Sequence, residues 1–133
     1  MRIRRFVLAY YAVLFCGFGL AALIAPESFA KLLDNNLVSD TAKMEFMATY
    51  CGLFMGLGFY LFHCLKNNVQ QGLITVLFTM GFMLIFRVIA YFVYSADSVI
   101  QYIYLVGEFG TVLLVGFLLI KNGKTLKLKV EPI

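Results

Sequence analysis

One arginine, Arg87, stands in the middle of LIFRVIAYFVY, residues 84–94, with no other charged residue in that stretch. A permanent cation among apolar side chains needs an acceptor, and placing one alone in hydrocarbon costs at least about 2.5–3.5 kcal/mol on insertion scales. Two carboxylates are candidates, Glu108 in the next apolar run and Glu45 at the head of an earlier one. Other polar groups stand at helical spacing around them. Tyr91 and Tyr94 follow Arg87 at i+4 and i+7, and Gln101, Tyr104, Glu108 and Thr111 fall on one face. An Arg/Glu cluster of this kind supports either of two chemistries. It is a buried clamp that fixes helix register, or a binding or proton-handling site opening to the outer side of a membrane.

Composition sets the solvent. With 62% hydrophobic residues, 14% charged and no tryptophan, the chain is suited to a bilayer. Apolar runs at residues 6–25, 44–65, 69–94 and 99–120 each reach the roughly 20 residues that cross a hydrocarbon core about 30 Å thick. The expected fold is all-α, a polytopic bundle of four transmembrane helices forming one domain over residues 1–133, with a basic tail at 121–133. The opening MRIRR before an apolar run resembles a secretory signal, but that run exceeds the 7–15 residues of a signal's apolar region, and Phe15 before Cys16 does not suit a lipoprotein signal.

Basic residues favour the cytoplasmic side. Arg2, Arg4, Arg5, Lys66, Lys121, Lys124, Lys127 and Lys129 fall on one side and only Lys31 and Lys43 on the other, giving a cytoplasmic N-terminus and C-terminus. The net charge of +4 is then a topology signal and a hold on anionic lipids, not a nucleic-acid footprint. At about 1.5 Å per residue, Arg87 lies about 10 Å below the outer end of its run at Tyr94, and Glu108 about 13 Å below the outer start of the next. Arg87 therefore pairs with Glu108, with Glu45 as a shallower partner. For Glu45 there is a plainer reading, since Ser39, Asp40 and Thr41 are capping residues and an acid one turn later favours a helix N-terminus.

A second face is set by Glu45, Thr49, Gly52, Gly56 and His63. Gly52 and Gly56 are spaced for close helix approach, within the bundle or across a homodimer seam. Gly107 with Gly110, and Gly17 with Ala21, are further small pairs. His63 lies about 27 Å along the helix from Glu45, at the opposite interface, and does not join the outer cluster. Cys16, Cys51 and Cys64 have neither CxxC spacing nor an even count, so they are read as buried thiols with no metal site. Between the first two runs, Phe29, Leu32, Leu33 and Leu37 share a face, with Pro26 and Glu27 at a helix start and Asn35 and Asn36 at its end, so a short amphipathic helix is expected in this external loop.

No P-loop, GxSxG or HExxH motif is present, and neither an enzymatic activity nor a cofactor is expected. EFMAT from Glu45 and EFGT from Glu108 hint at a repeated hairpin. APESFAKLL after the first run, MEFMATYCGLFMGLGFYL and FMLIFRVIAY together resemble a family of small four-helix bacterial inner-membrane proteins catalogued as a domain of unknown function. The resemblance covers roughly residues 6–120, and its marks are matched by Glu45, Tyr50, Gly52 and Arg87. Two departures stand out: Met47 where the family usually has an arginine, and Cys51 where it usually has a glycine, so a Glu/Arg pairing within the second run is lost. The resemblance implies a non-enzymatic inner-membrane role in envelope maintenance, with lipids, envelope proteins or a second copy of the chain as partners. A small ion-coupled transporter using Glu108 against Arg87 is the other class, by fold-level analogy alone. A quinone- or lipid-linked component is the third, with aromatic residues lining a pocket.

Overall fold

In the first apolar run, positions 7, 8, 11, 12, 15, 19 and 22 recur at the helical period and are the ones buried. They form the inner face of α1, Arg2–Ile24. The computed structural model describes residues 2–33, 35–94 and 99–127, with side chains through Lys121. Lys124, Lys127 and Lys129, counted in the topology argument, lie outside those side chains. The described residues are helical, without strands: α1 is followed by α2 (Pro26–Leu32), α3 (Asp40–Phe46), a π-helical segment (Met47–Leu53), α4 (Phe54–Asn67), α5 (Val69–Tyr94) and α6 (Val99–Lys127). Four stretches are long and apolar enough to cross a membrane: Arg2–Ile24, Asp40–Asn67, Val69–Tyr94 and Val99–Lys121. The second of these begins at Asp40, four residues ahead of the apolar run itself, because Ser39 caps it by accepting a hydrogen bond from the Ala42 amide at 3.1 Å.

The chain divides into two compact units, residues 1–72 and 73–133. In the first, α1 packs on the π segment and α4. Glycine sets the crossing. A side chain at Gly58 would meet the backbone nitrogen of Cys16 at 2.8 Å and the carbonyl of Ala12 at 3.0 Å, and one at Gly19 would meet the Met55 side chain and the Cys51 carbonyl. Only glycine allows two helices this near, as expected where packing holds them together. Gly72, at the start of α5, meets Leu8 and Cys64 in the same way.

Within the first unit, nothing lies within 4 Å of the place a Cβ would take at Gly52 or Gly56, the small pair expected at a helix crossing or a homodimer seam. The π segment is the reason. Its i→i+5 bonding adds a residue to the turn, so the inner face advances in steps of four through Phe46, Tyr50, Phe54 and Gly58. Glu45, Thr49, Gly52, Gly56 and His63 do share a face, and it is the exposed one. The inner face carries a run of rings instead. Phe46 and Tyr50 stack at 4.5 Å and Tyr50 and Phe54 at 5.7 Å, while Phe29 from α2 meets Phe46 and Tyr50 edge-on and Phe15 and Phe18 of α1 flank Phe54.

The loop between α1 and α3 is anchored by Phe29 and Ala30, buried with Ala22, Phe46 and Cys51. Here α2 ends at Leu32, short of Asn35 and Asn36, and the Leu33 amide closes back on Phe29 and Ala30. Leu32 is consequently exposed, while Leu33 and Leu37 pack on the cluster. Glu27 and Lys43 approach to 3.5 Å, but both are solvent-facing and the pair adds little.

The glycine crossing yields a direct comparison. Gly58→Ala is expected to destabilise the chain by about 1–3 kcal/mol through overpacking, whereas Gly56→Ala is expected to be neutral or to stabilise by up to about 1 kcal/mol through helix propensity. Thermal unfolding of the purified protein in detergent, followed by circular dichroism, checks it, and equal losses in both variants would contradict this crossing.

Candidate functional site

The second unit contains the remainder of α5 and the antiparallel α6. Arg87 sits about two turns before the C-terminal end of α5, and α6 brings Gln101, Tyr104 and Glu108 to it from one face. The guanidinium binds Glu108 in a two-pronged arrangement, Nε donating to Oε2 at 3.0 Å and Nη2 donating to Oε1 at 2.7 Å. Nη1 donates to Oε1 of Gln101, and the Tyr104 ring lies 5.2 Å from Cζ. This exploits the planar fork of arginine: parallel donors matched to a carboxylate, with an aromatic face against the cation. The Glu108 side chain is 7% exposed and that of Arg87 22%.

Burial makes this pair consequential. Removing one partner of a buried ion pair strands the other charge, at about 3–5 kcal/mol, while replacing both with apolar residues is often close to neutral. Two guanidinium N–H groups point at the two oxygens of Glu108. The arrangement is a charge-neutral lock between two helices.

The other residues read from the sequence fall into place around it. Thr111, buried one turn beyond Glu108, donates its hydroxyl proton to the Gly107 carbonyl of its own helix at 2.7 Å. Tyr91 pairs with Tyr102, hydroxyl to hydroxyl at 3.3 Å. Tyr94 is exposed. Tyr102 was missed by the sequence reading because it lies off the Gln101–Glu108 face, and its pairing with Tyr91 brings it to the site. Glu45, expected as a shallower partner of Arg87, belongs to the first unit and is exposed on α3, beyond the first turn, whose acid is Asp40. His63 bonds with Asn67 one turn away, and Cys16, Cys51 and Cys64 are free thiols. Among the described residues no group of His, Cys, Asp and Glu could hold a metal ion.

A cleft of about 650 Å³ opens beside the lock, lined by Arg87, Ala90, Tyr91 and Met83 from α5 and by Gln101 and Tyr102 from α6. Its walls are mainly apolar, and Arg87 and Gln101 supply polar atoms to it.

The sequence that folds into these four membrane-length helices matches a known family. The chain belongs to the DUF4345 family. That family, described as a domain of unknown function, matches residues 3–119, nearly the whole chain. No curated protein and no solved structure matches it.

The lock is testable by a double-mutant cycle. Arg87→Leu and Glu108→Leu should each cost about 3–5 kcal/mol of stability, and the double variant far less than their sum. Chemical unfolding of all four proteins in detergent measures this, and additive losses would dissolve the pairing.

Proposed function

We propose that this DUF4345 protein is a non-enzymatic, multi-pass protein of the bacterial inner membrane, a single four-helix transmembrane domain that supports envelope integrity and membrane-potential homeostasis. Both termini are cytoplasmic and the chain self-associates, as a homodimer, in contact with lipids and envelope proteins. The two-pronged Arg87–Glu108 bond carries this reading of the site. A carboxylate engaged through both oxygens by an arginine of the facing helix ties the two helices at one register, so the pair serves as a register clamp between α5 and α6 rather than as an ion-coupling site. The exposed Gly52 and Gly56 leave a smooth face for the second copy. The envelope role is the one implied by the resemblance to small four-helix inner-membrane proteins, among which we propose a similarity to the Acinetobacter envelope protein AciT. The α2 loop lies at the outer surface in this topology, with its Phe29 side turned into the protein.

The second reading, a small proton- or ion-coupled transporter using Glu108 and Arg87, is favoured by one observation, the cleft that reaches Arg87.

Flux separates the two. Liposomes carrying the purified protein, under an imposed pH gradient and potential, should show no proton or ion flux above empty vesicles for wild type or Glu108→Gln. Wild-type flux that Glu108→Gln abolishes would establish transport. In cells, deletion should raise detergent sensitivity and perturb the signal of a potential-sensitive dye, both reversed by the wild-type gene. An unaltered envelope in the deletion strain would remove the envelope role. A green fluorescent protein fused to the C-terminus should fluoresce, and an alkaline phosphatase fused there should be inactive; the reverse pattern would invert the topology.

A further inference from the structure

The lock does not use all of Arg87. A guanidinium carries five N–H donors, and the bonds to Glu108 and Gln101 occupy three of them. The cleft beside it is about 650 Å³, within the range of small-molecule sites. Aromatic side chains form much of its wall, Tyr91, Phe92 and Tyr94 from α5 and Tyr102 from α6, and polar atoms converge on it from Arg87 and Gln101. A few placed donors within an apolar, aromatic cleft describe a site for an apolar molecule with an oxygen acceptor.

Charge selects which acceptor. Arg87 and Glu108 already cancel, so a carboxylate or phosphate entering the cleft would leave a net negative charge in a place of low polarity and compete with Glu108 for its partner. An uncharged carbonyl oxygen accepts the remaining N–H groups and leaves the ion pair whole. We propose that the cleft between α5 and α6 binds an apolar molecule bearing an uncharged carbonyl group, whose oxygen accepts from Arg87 and whose body lies against the tyrosine and phenylalanine rings. Two sources share that chemistry: the ring of a quinone and the ester of an acyl lipid. This goes beyond the clamp, which stands whether or not the cleft is filled.

Equilibrium binding to the full-length protein in detergent tests it with three probes: a short-tailed benzoquinone, a fatty acid methyl ester and an alkylbenzene of matched size without oxygen. At least one carbonyl probe should bind saturably, roughly tenfold or more tighter than the alkylbenzene, because it alone can take hydrogen bonds from a charged donor. A quinone that binds without the ester identifies a ring site, and the converse an acyl-lipid site. Ala90→Trp fills the cleft from a wall position outside the ion pair and should weaken binding by roughly tenfold or more, with the melting temperature showing that the fold persists. Ala90→Leu serves the same purpose if the tryptophan variant does not fold. No saturable binding by either carbonyl probe, equal affinity for the alkylbenzene, or unchanged binding in a folded Ala90 variant would overturn the proposal.

Discussion

A charge in an apolar helix must be answered where it stands, because hydrocarbon supplies no solvent to answer it. In the second unit that constraint determines the arrangement. Arg87 is satisfied from a single partner helix, and its partners recur at i, i+3 and i+7 along α6: Gln101, Tyr104 and Glu108. Turning α6 by one residue would swing that face by about 100° and sliding it by one would move the carboxylate about 1.5 Å. Either change separates the parallel donors from the parallel acceptors, so one side chain on α5 fixes both rotation and register.

The first unit meets the same environment with the opposite device. Its helices join through glycines that admit a neighbouring backbone and through a continuous set of rings. Dispersion contacts are individually small and add up only when surfaces fit closely. The π segment is what brings the surfaces into fit, since it keeps Phe46, Tyr50, Phe54 and Gly58 in line across a stretch where a regular helix would rotate them apart. Ser39 fixes where this helix begins, and Asn68, accepting from the Gln71 amide at 3.1 Å, fixes where the next one does.

What could be read from the sequence follows the same division. Length and hydropathy suffice for the four membrane-length helices because a bilayer tolerates few alternatives. Arg87 and Glu108 were legible because a buried cation has few possible partners, and depth arithmetic brought the two to within a helical turn of each other. Depth says nothing of azimuth, however. Glu45 was grouped with them on depth alone, and within its own unit its side chain is exposed. The glycine face is a single face, as its spacing implies, but it is turned outward in the first unit, because the hydrogen bonding changes across residues 47–53 and the residue types there do not announce a π turn. Gly19 and Gly58, which set the crossing, have no small-residue partner four positions away that would have singled them out as Gly52 and Gly56 were.

The energetic value of the lock lies in selection more than in strength. Two leucines in place of Arg87 and Glu108 would cost the chain little, since the Coulombic gain of a buried pair is largely offset by the desolvation of both charges. Apolar side chains project from all around α5 and α6, among them Phe78, Phe86, Phe92, Ile103 and Phe109, all exposed. Between helices of that kind many rotations and registers bury similar area, and dispersion alone ranks them weakly. An arginine removes that degeneracy, because every arrangement without an acceptor at Arg87 carries an unanswered charge. The penalty on the wrong arrangements, rather than the bond energy in the right one, is what singles out one pairing of α5 with α6.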